Sequence, residues 1–111
     1  MEMIKVLKAM ADESRFKIIR LLLEKNYCVR ALSKKLHLSE SAISQHLKVL
    51  REAGLIVGEK RGYFMHYDVD RDMLHQLSSQ IKELAAIKRG TCRPEKKGCV
   101  NNNANCHRNK S

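Results

Sequence analysis

Apolar residues recur along the first ninety positions with two different periods. Ile4, Leu7 and Met10 share one face of a short first helix. Asp12 suits the N-cap of a second helix, whose inward stripe is read as Phe16, Ile19, Leu22 and Leu23. Val29, Leu32 and Leu36 predict a third helix from Val29 to Leu36. The stretch HLSESAISQHLKVLREAG predicts a fourth. Ser39 caps it, Ile43, Leu47 and Leu50 point inward, and Gly54 stands where a helix end needs positive φ. LIVGEKRGYFMHYDVD then shifts to strand periodicity. It predicts a β-hairpin with arms Ile56–Lys60 and Tyr63–Val69 and the tip at Arg61-Gly62. In the second arm Tyr63, Met65 and Tyr67 alternate with Phe64, His66 and Asp68. A last helix is predicted from Arg71 to Arg89. Its apolar positions Leu74, Leu77, Ile81 and Leu84 are spaced three, four and three, which is a coiled-coil-like seam that needs a partner helix.

Two short helices joined by a tight turn and followed by a hairpin predict a winged helix-turn-helix: a mainly α fold with a small β-hairpin. The outward face of the fourth helix carries Ser41, Ser44, Gln45, Lys48 and Arg51, so it is polar and basic. The second helix of such a motif enters the major groove, where hydroxyl and amide side chains read base edges. Lys48, and Lys60 and Arg61 at the hairpin tip, suit phosphates or the neighbouring minor groove. His46 lies in the same helix and is assigned a structural or phosphate-contact role.

Composition strengthens the reading. The chain has 111 residues, a formal net charge of +10 and 43% hydrophobic residues. That is one small domain, only marginally stable alone and helped by dimerisation. The charge favours a polyanionic partner such as nucleic acid or an anionic membrane surface, and the helix-turn-helix points to double-stranded operator DNA. The start of the chain carries no secretory pattern and no stretch approaches a membrane span, so a cytoplasmic location with no membrane partner is expected. An enzyme is not expected: no nucleophile has an adjacent base and orienter, and there is no glycine-rich phosphate loop.

LKAMADESRFKIIRLLLE, then SAISQHLKVLREAGLI, then VGEKRGYFMHYDV, resembles the ArsR/SmtB family of bacterial metal-responsive repressors. The resemblance runs from Glu2 to Arg89 and is most specific over Ser44-Gln45-His46-Leu47-Lys48 and Ala53-Gly54-Leu55. It implies a homodimer built from the first and last helices, with Leu7, Leu74, Leu77, Ile81 and Leu84 at the interface. It also implies a two-fold symmetric operator and release when an inducer binds. Some relatives sense through a Cys-Val-Cys run opening the third helix. Here the run is Cys28-Val29-Arg30, so the second thiol is missing. Others use ligands on the last helix; the matching positions are Arg71, Met73, Leu84 and Ile87, none a good zinc ligand. Asp68, Asp70 and Asp72 open like a calcium loop, but Met73 and Ser79 stand where glycine and glutamate are needed, so these residues are read as the hairpin's polar end and a helix cap.

The chain changes character near Gly90, which divides a 1–89 DNA-binding and dimerisation domain from a basic tail, 90–111. The tail has too little to bury to order itself and is expected to be flexible. Yet it holds Cys92, Cys99 and Cys106, each seven residues after the last. In a reducing compartment these are expected to be thiols or metal ligands rather than disulfides. No constitutive cofactor is implied. Trivalent arsenic or antimony, which take three thiolates, are the leading inducers, with cadmium, lead or zinc as alternatives. The three tail thiols supply such a site alone, or Cys28 joins two of them. A redox or persulfide response is the other class of reading.

Overall fold

The computed structural model describes residues 2–92. Cys99 and Cys106 lie outside the described residues, as does nearly all of the predicted 90–111 tail. The element order is α1 (Met3–Met10), α2 (Glu13–Glu24), α3 (Val29–Leu36), α4 (Glu40–Glu52), β1 (Ile56–Arg61), β2 (Phe64–Val69) and α5 (Arg71–Ala85). This is the expected mainly α fold with one antiparallel hairpin.

Local chemistry starts α2, α4 and α5 and stops α4. Asp12 accepts the Arg15 amide at 3.1 Å and Ser39 accepts the Ala42 amide at 3.0 Å, capping α2 and α4. The Arg15 amide holds the Asp12 carboxyl below its ordinary value, and the charge of the Arg15 guanidinium acts in the same direction. Asp70 accepts the amides of Asp72 and Met73 and so opens α5. That is the cap role expected for this acidic stretch. Gly54 ends α4 with φ +84, where a side chain would be strained.

One core unites the elements. Val6 and Ala9 of α1, Ile18, Ile19 and Leu22 of α2, and Leu32 of α3 meet Ile43, Leu47 and Leu50 of α4. Ala53, Leu55, Ile56, Tyr67 and Leu77 complete it. The α4 stripe is the one expected from the sequence. Two other faces are corrected. In α1 the buried positions are Val6 and Ala9, whereas Ile4 is 59% exposed. In α2 Ile18 is fully buried and Phe16 is 47% exposed. Both helices carry apolar residues around more than half their circumference, so the packing of neighbours, not the period, selects the inner face.

Two boundaries also move. The hairpin turn is Gly62-Tyr63, with Arg61 paired to Phe64, so Arg61 belongs to the strand and Tyr63 to the tip. Gly62 has φ +65 at the first central position, as a two-residue type II′ turn requires. The last helix stops at Ala85, four residues before the predicted Arg89. Every residue from Ile81 to Thr91 is exposed in the isolated subunit, so nothing packs against that end to stabilise further turns.

Gly54 supplies a test of the α4–β1 junction. A Cβ there would sit 2.9 Å from the Met73 Cε, on top of the backbone strain. Gly54→Ala is expected to lower stability by about 1–2 kcal/mol in urea unfolding, and Gly54→Val by more.

Candidate functional site

The helix-turn-helix is closed by one serine. His37 takes the left-handed conformation at the end of α3, φ 57 and ψ 42, a region in which histidine is tolerated better than most residues. The amides of His37 and Leu38 both donate to the Ser33 carbonyl, and the Ser33 hydroxyl donates to the Leu38 carbonyl. Only His37, Leu38 and Ser39 separate α3 from α4, and their backbone is tied at both ends.

Because Ile43, Leu47 and Leu50 are 0–2% exposed, the opposite face of α4 has to face out. Ser41, Ser44, Gln45 and Lys48 are all exposed there. His46 stands apart from them. It is half-buried, and its Nδ1 lies 3.3 Å from an Arg15 Nη1. The same guanidinium donates from Nε to the Ala9 carbonyl at 2.7 Å. Guanidinium only donates, so His46 Nδ1 accepts and the ring proton sits on Nε2. Arg15 therefore ties the end of α1 and the start of α2 to the middle of α4. Sequence reading missed this role, for which a lone arginine in an amphipathic helix carries no signal.

The hairpin projects as a wing. Lys60 and Arg61 are exposed, and Arg61 pairs with Glu59 at 3.1 Å. An exposed pair of this kind contributes about 0–1 kcal/mol, so the guanidinium is easily redirected to a phosphate. At the very tip Tyr63 is 97% and Phe64 62% exposed. The sequence pattern places both in the strand; Phe64 does open β2, whereas Tyr63 lies in the turn. The glycine-first turn, Gly62-Tyr63, was the signal that would have placed Tyr63 at the tip.

Cys28 is the N-cap of α3, half-buried with a free thiol. It lines a groove of about 530 Å³ together with Val29, Arg30, Glu40, Tyr63, Phe64, Met65 and Tyr67. Cys92 is the last described residue and is half-buried. The described residues do not bring Cys28 and Cys92 into a ligand cluster with other Cys, His, Asp or Glu side chains. The last-helix positions behave as their side chains suggest. Arg71 donates to the Leu23 carbonyl at 3.2 Å, capping the end of α2, and Met73 packs against Gly54. No helix among the described residues is long and apolar enough to cross a membrane.

Residues 12–57, from the α2 cap through the start of the wing, match the family model described as bacterial regulatory protein, arsR family. The transcriptional activator HlyU of Vibrio cholerae serotype O1 is 38% identical over 85 residues, covering 70% of this chain and 79% of that protein. The arsenical resistance operon repressor of Escherichia coli K12 is 43% identical over 65 residues, covering 58% of this chain and 56% of that protein. Among solved structures, a possible transcriptional regulator for arsenical resistance superposes with a TM-score of 0.65 at 36% identity, over 72% of this chain and 83% of that one. The sequence match, the helix-turn-helix and the wing agree: this chain belongs to the bacterial ArsR/SmtB family of winged-helix transcriptional repressors, and is a DNA-binding regulator rather than an enzyme.

Proposed function

We propose that the protein holds a two-fold symmetric operator as a homodimer and leaves it when thiolates capture a thiophilic ion, with trivalent arsenic or antimony as the leading inducer. The observation that carries this reading is the position of Cys28. Its thiol sits at the start of the helix that precedes α4, in a groove shared with the wing. A ligand there acts on the elements that hold DNA. Arsenic in its trivalent state takes three sulfur donors, so Cys28 needs two more thiolates. Cys92, Cys99 and Cys106 are the chain's other cysteines.

In this reading Ser41, Ser44 and Gln45 face the bases and Lys48, Lys60 and Arg61 the phosphates. His46 offers its Nε2 proton to a phosphate while Arg15 holds the ring. Replacing Lys60 and Arg61 together by Ala is expected to weaken binding to every sequence and to reduce the slope of log affinity against log salt by about one to two. Gln45→Ala is expected to cost about 1–3 kcal/mol and to relax preference at one operator position. Unchanged affinity and preference in a binding-site selection with Gln45→Ala would remove α4 from the reading role.

Dimerisation is supported by an apolar face that the described residues leave uncovered. Ile4 is 59%, Ile81 43%, Leu84 59% and Ile87 71% exposed. They belong to α1, α5 and the residues just after it, and α1 packs on α5. Leu7 and Leu74 flank this face half-buried, whereas Leu77 is 6% exposed and already sits in the subunit's own core. We assign the seam to Ile81 and Leu84, with Leu7 and Leu74 at its inner edge. Ile81→Asp places a charge in that seam and is expected to give folded monomers that no longer hold the operator. A dimer of Ile81→Asp in analytical ultracentrifugation would refute the assignment.

The inducer site is tested by single Cys→Ser proteins assayed for ion-induced release from DNA under reductant. Cys28→Ser and at least two of the three tail substitutions are expected to abolish release by trivalent arsenic. A full response from Cys28→Ser, with loss from all three tail variants, would place the site in the tail alone. The alternative reading is a redox-responsive repressor that uses the same four cysteines. That reading requires release by an oxidant without any ion and reversal by dithiothreitol.

A further inference from the structure

We propose that the groove beside Cys28 is common ground for inducer and operator, so that a ligand held on Cys28 excludes DNA by standing in its interface. The inference rests on Cys28 being a sensing thiol, as argued above, and adds how occupancy is read out.

The groove has three walls. Cys28, Val29 and Arg30 come from the start of α3, Glu40 is the first residue of α4, and Tyr63, Phe64, Met65 and Tyr67 come from the wing. The last two walls are the parts of a winged helix that meet DNA: the N-terminal turn of the recognition helix and the hairpin tip. The inner part of the groove is apolar. Tyr67 is 8% exposed, and Gly58 opposite it leaves room for its ring: a Cβ at position 58 would meet Tyr67 Cε1 at 3.1 Å and Met65 Cε at 3.0 Å. The rim is exposed: Arg30 and Glu40 on one side, Tyr63 and Phe64 on the other.

The tip aromatics contribute almost nothing to their own subunit. Tyr63 is 97% exposed in a two-residue turn, next to Lys60 and Arg61. An apolar tip flanked by cations suits the sugar–phosphate rim and the minor groove, where cations meet phosphates and flat side chains meet sugars and base edges. A duplex seated on α4 and on this tip spans the groove mouth between them. A bound ligand with bulk at Cys28 then meets either the duplex or the Tyr63-Phe64 wall. This differs from a purely allosteric release, in which any ligand on Cys28 acts by tilting α3 and its size matters little.

The test uses the full chain with Cys92, Cys99 and Cys106 replaced by Ser, leaving Cys28 as the one thiol. Iodoacetamide alkylates it with loss of iodide, giving a small adduct. N-phenylmaleimide adds the thiolate across its double bond and takes a proton from water, giving a bulky one. Saturating operator duplex is expected to slow modification about tenfold or more, relative to an unrelated duplex at the same salt. The bulky adduct is expected to weaken operator binding at least about tenfold and the small one less than about threefold, as a steric clash demands. Phe64→Ala, which opens the rim, is expected to recover part of the loss. Equal modification rates with and without operator, or equal losses from the two adducts, would overturn the shared groove. If the triple variant does not bind the operator, the same rates are read on the wild-type chain by peptide mass mapping of Cys28. Failure of the sensing assignment looks different: Cys28→Ser then still releases DNA with trivalent arsenic, while protection and size grading persist.

Discussion

The burial of Ile43, Leu47 and Leu50 is the constraint on which the rest of this structure depends. These three side chains, 0–2% exposed, lock α4 into the core in one rotation about its axis. A helix so held cannot choose which residues it shows. Ser41, Ser44, Gln45 and Lys48 project because the stripe behind them does not. Specific recognition needs such rigidity, since base edges are read by hydrogen bonds that tolerate little misplacement.

Three further ties refine that rotation. The Ser33 carbonyl and hydroxyl close the turn between α3 and α4 from both ends. Arg15 reaches from α2 to the Ala9 carbonyl and to His46 in α4. Gly54 turns the chain out of α4 into β1, and the wing follows in fixed register. The recognition helix is thus coupled to α3 on one side and to the wing on the other. The free thiol of Cys28 lies in the groove between these two neighbours.

The same economy explains the exposed apolar residues. A domain of this size buries only part of what its chain offers. Ile81, Leu84 and Ile87 find no cover among the described residues. Leu77, from the same heptad-like run, does. One sequence pattern is therefore divided between two environments, with its inner turn in the core and its outer turns on the surface.

What the sequence determined by itself were the features that depend on neighbours a few residues away. The caps at Asp12 and Ser39, the glycine after α4, the α4 stripe and the existence of the hairpin are decided by local hydrogen bonding, backbone sterics and period, and all were legible. So was the polar face of α4, because one clean stripe leaves one complement. Tertiary structure decided the rest. It chose Ile18 over Phe16 and Val6 over Ile4, since α1 and α2 carry apolar residues on several faces and only the surrounding helices discriminate. It turned His46 toward Arg15, and it placed Cys28 in one groove with Tyr67 and Phe64. Those pairs stand tens of residues apart, and no period or spacing within either segment encodes the distance between them. Long-range packing encodes it, because the core can be filled at native density only when the helices and the wing close in one arrangement.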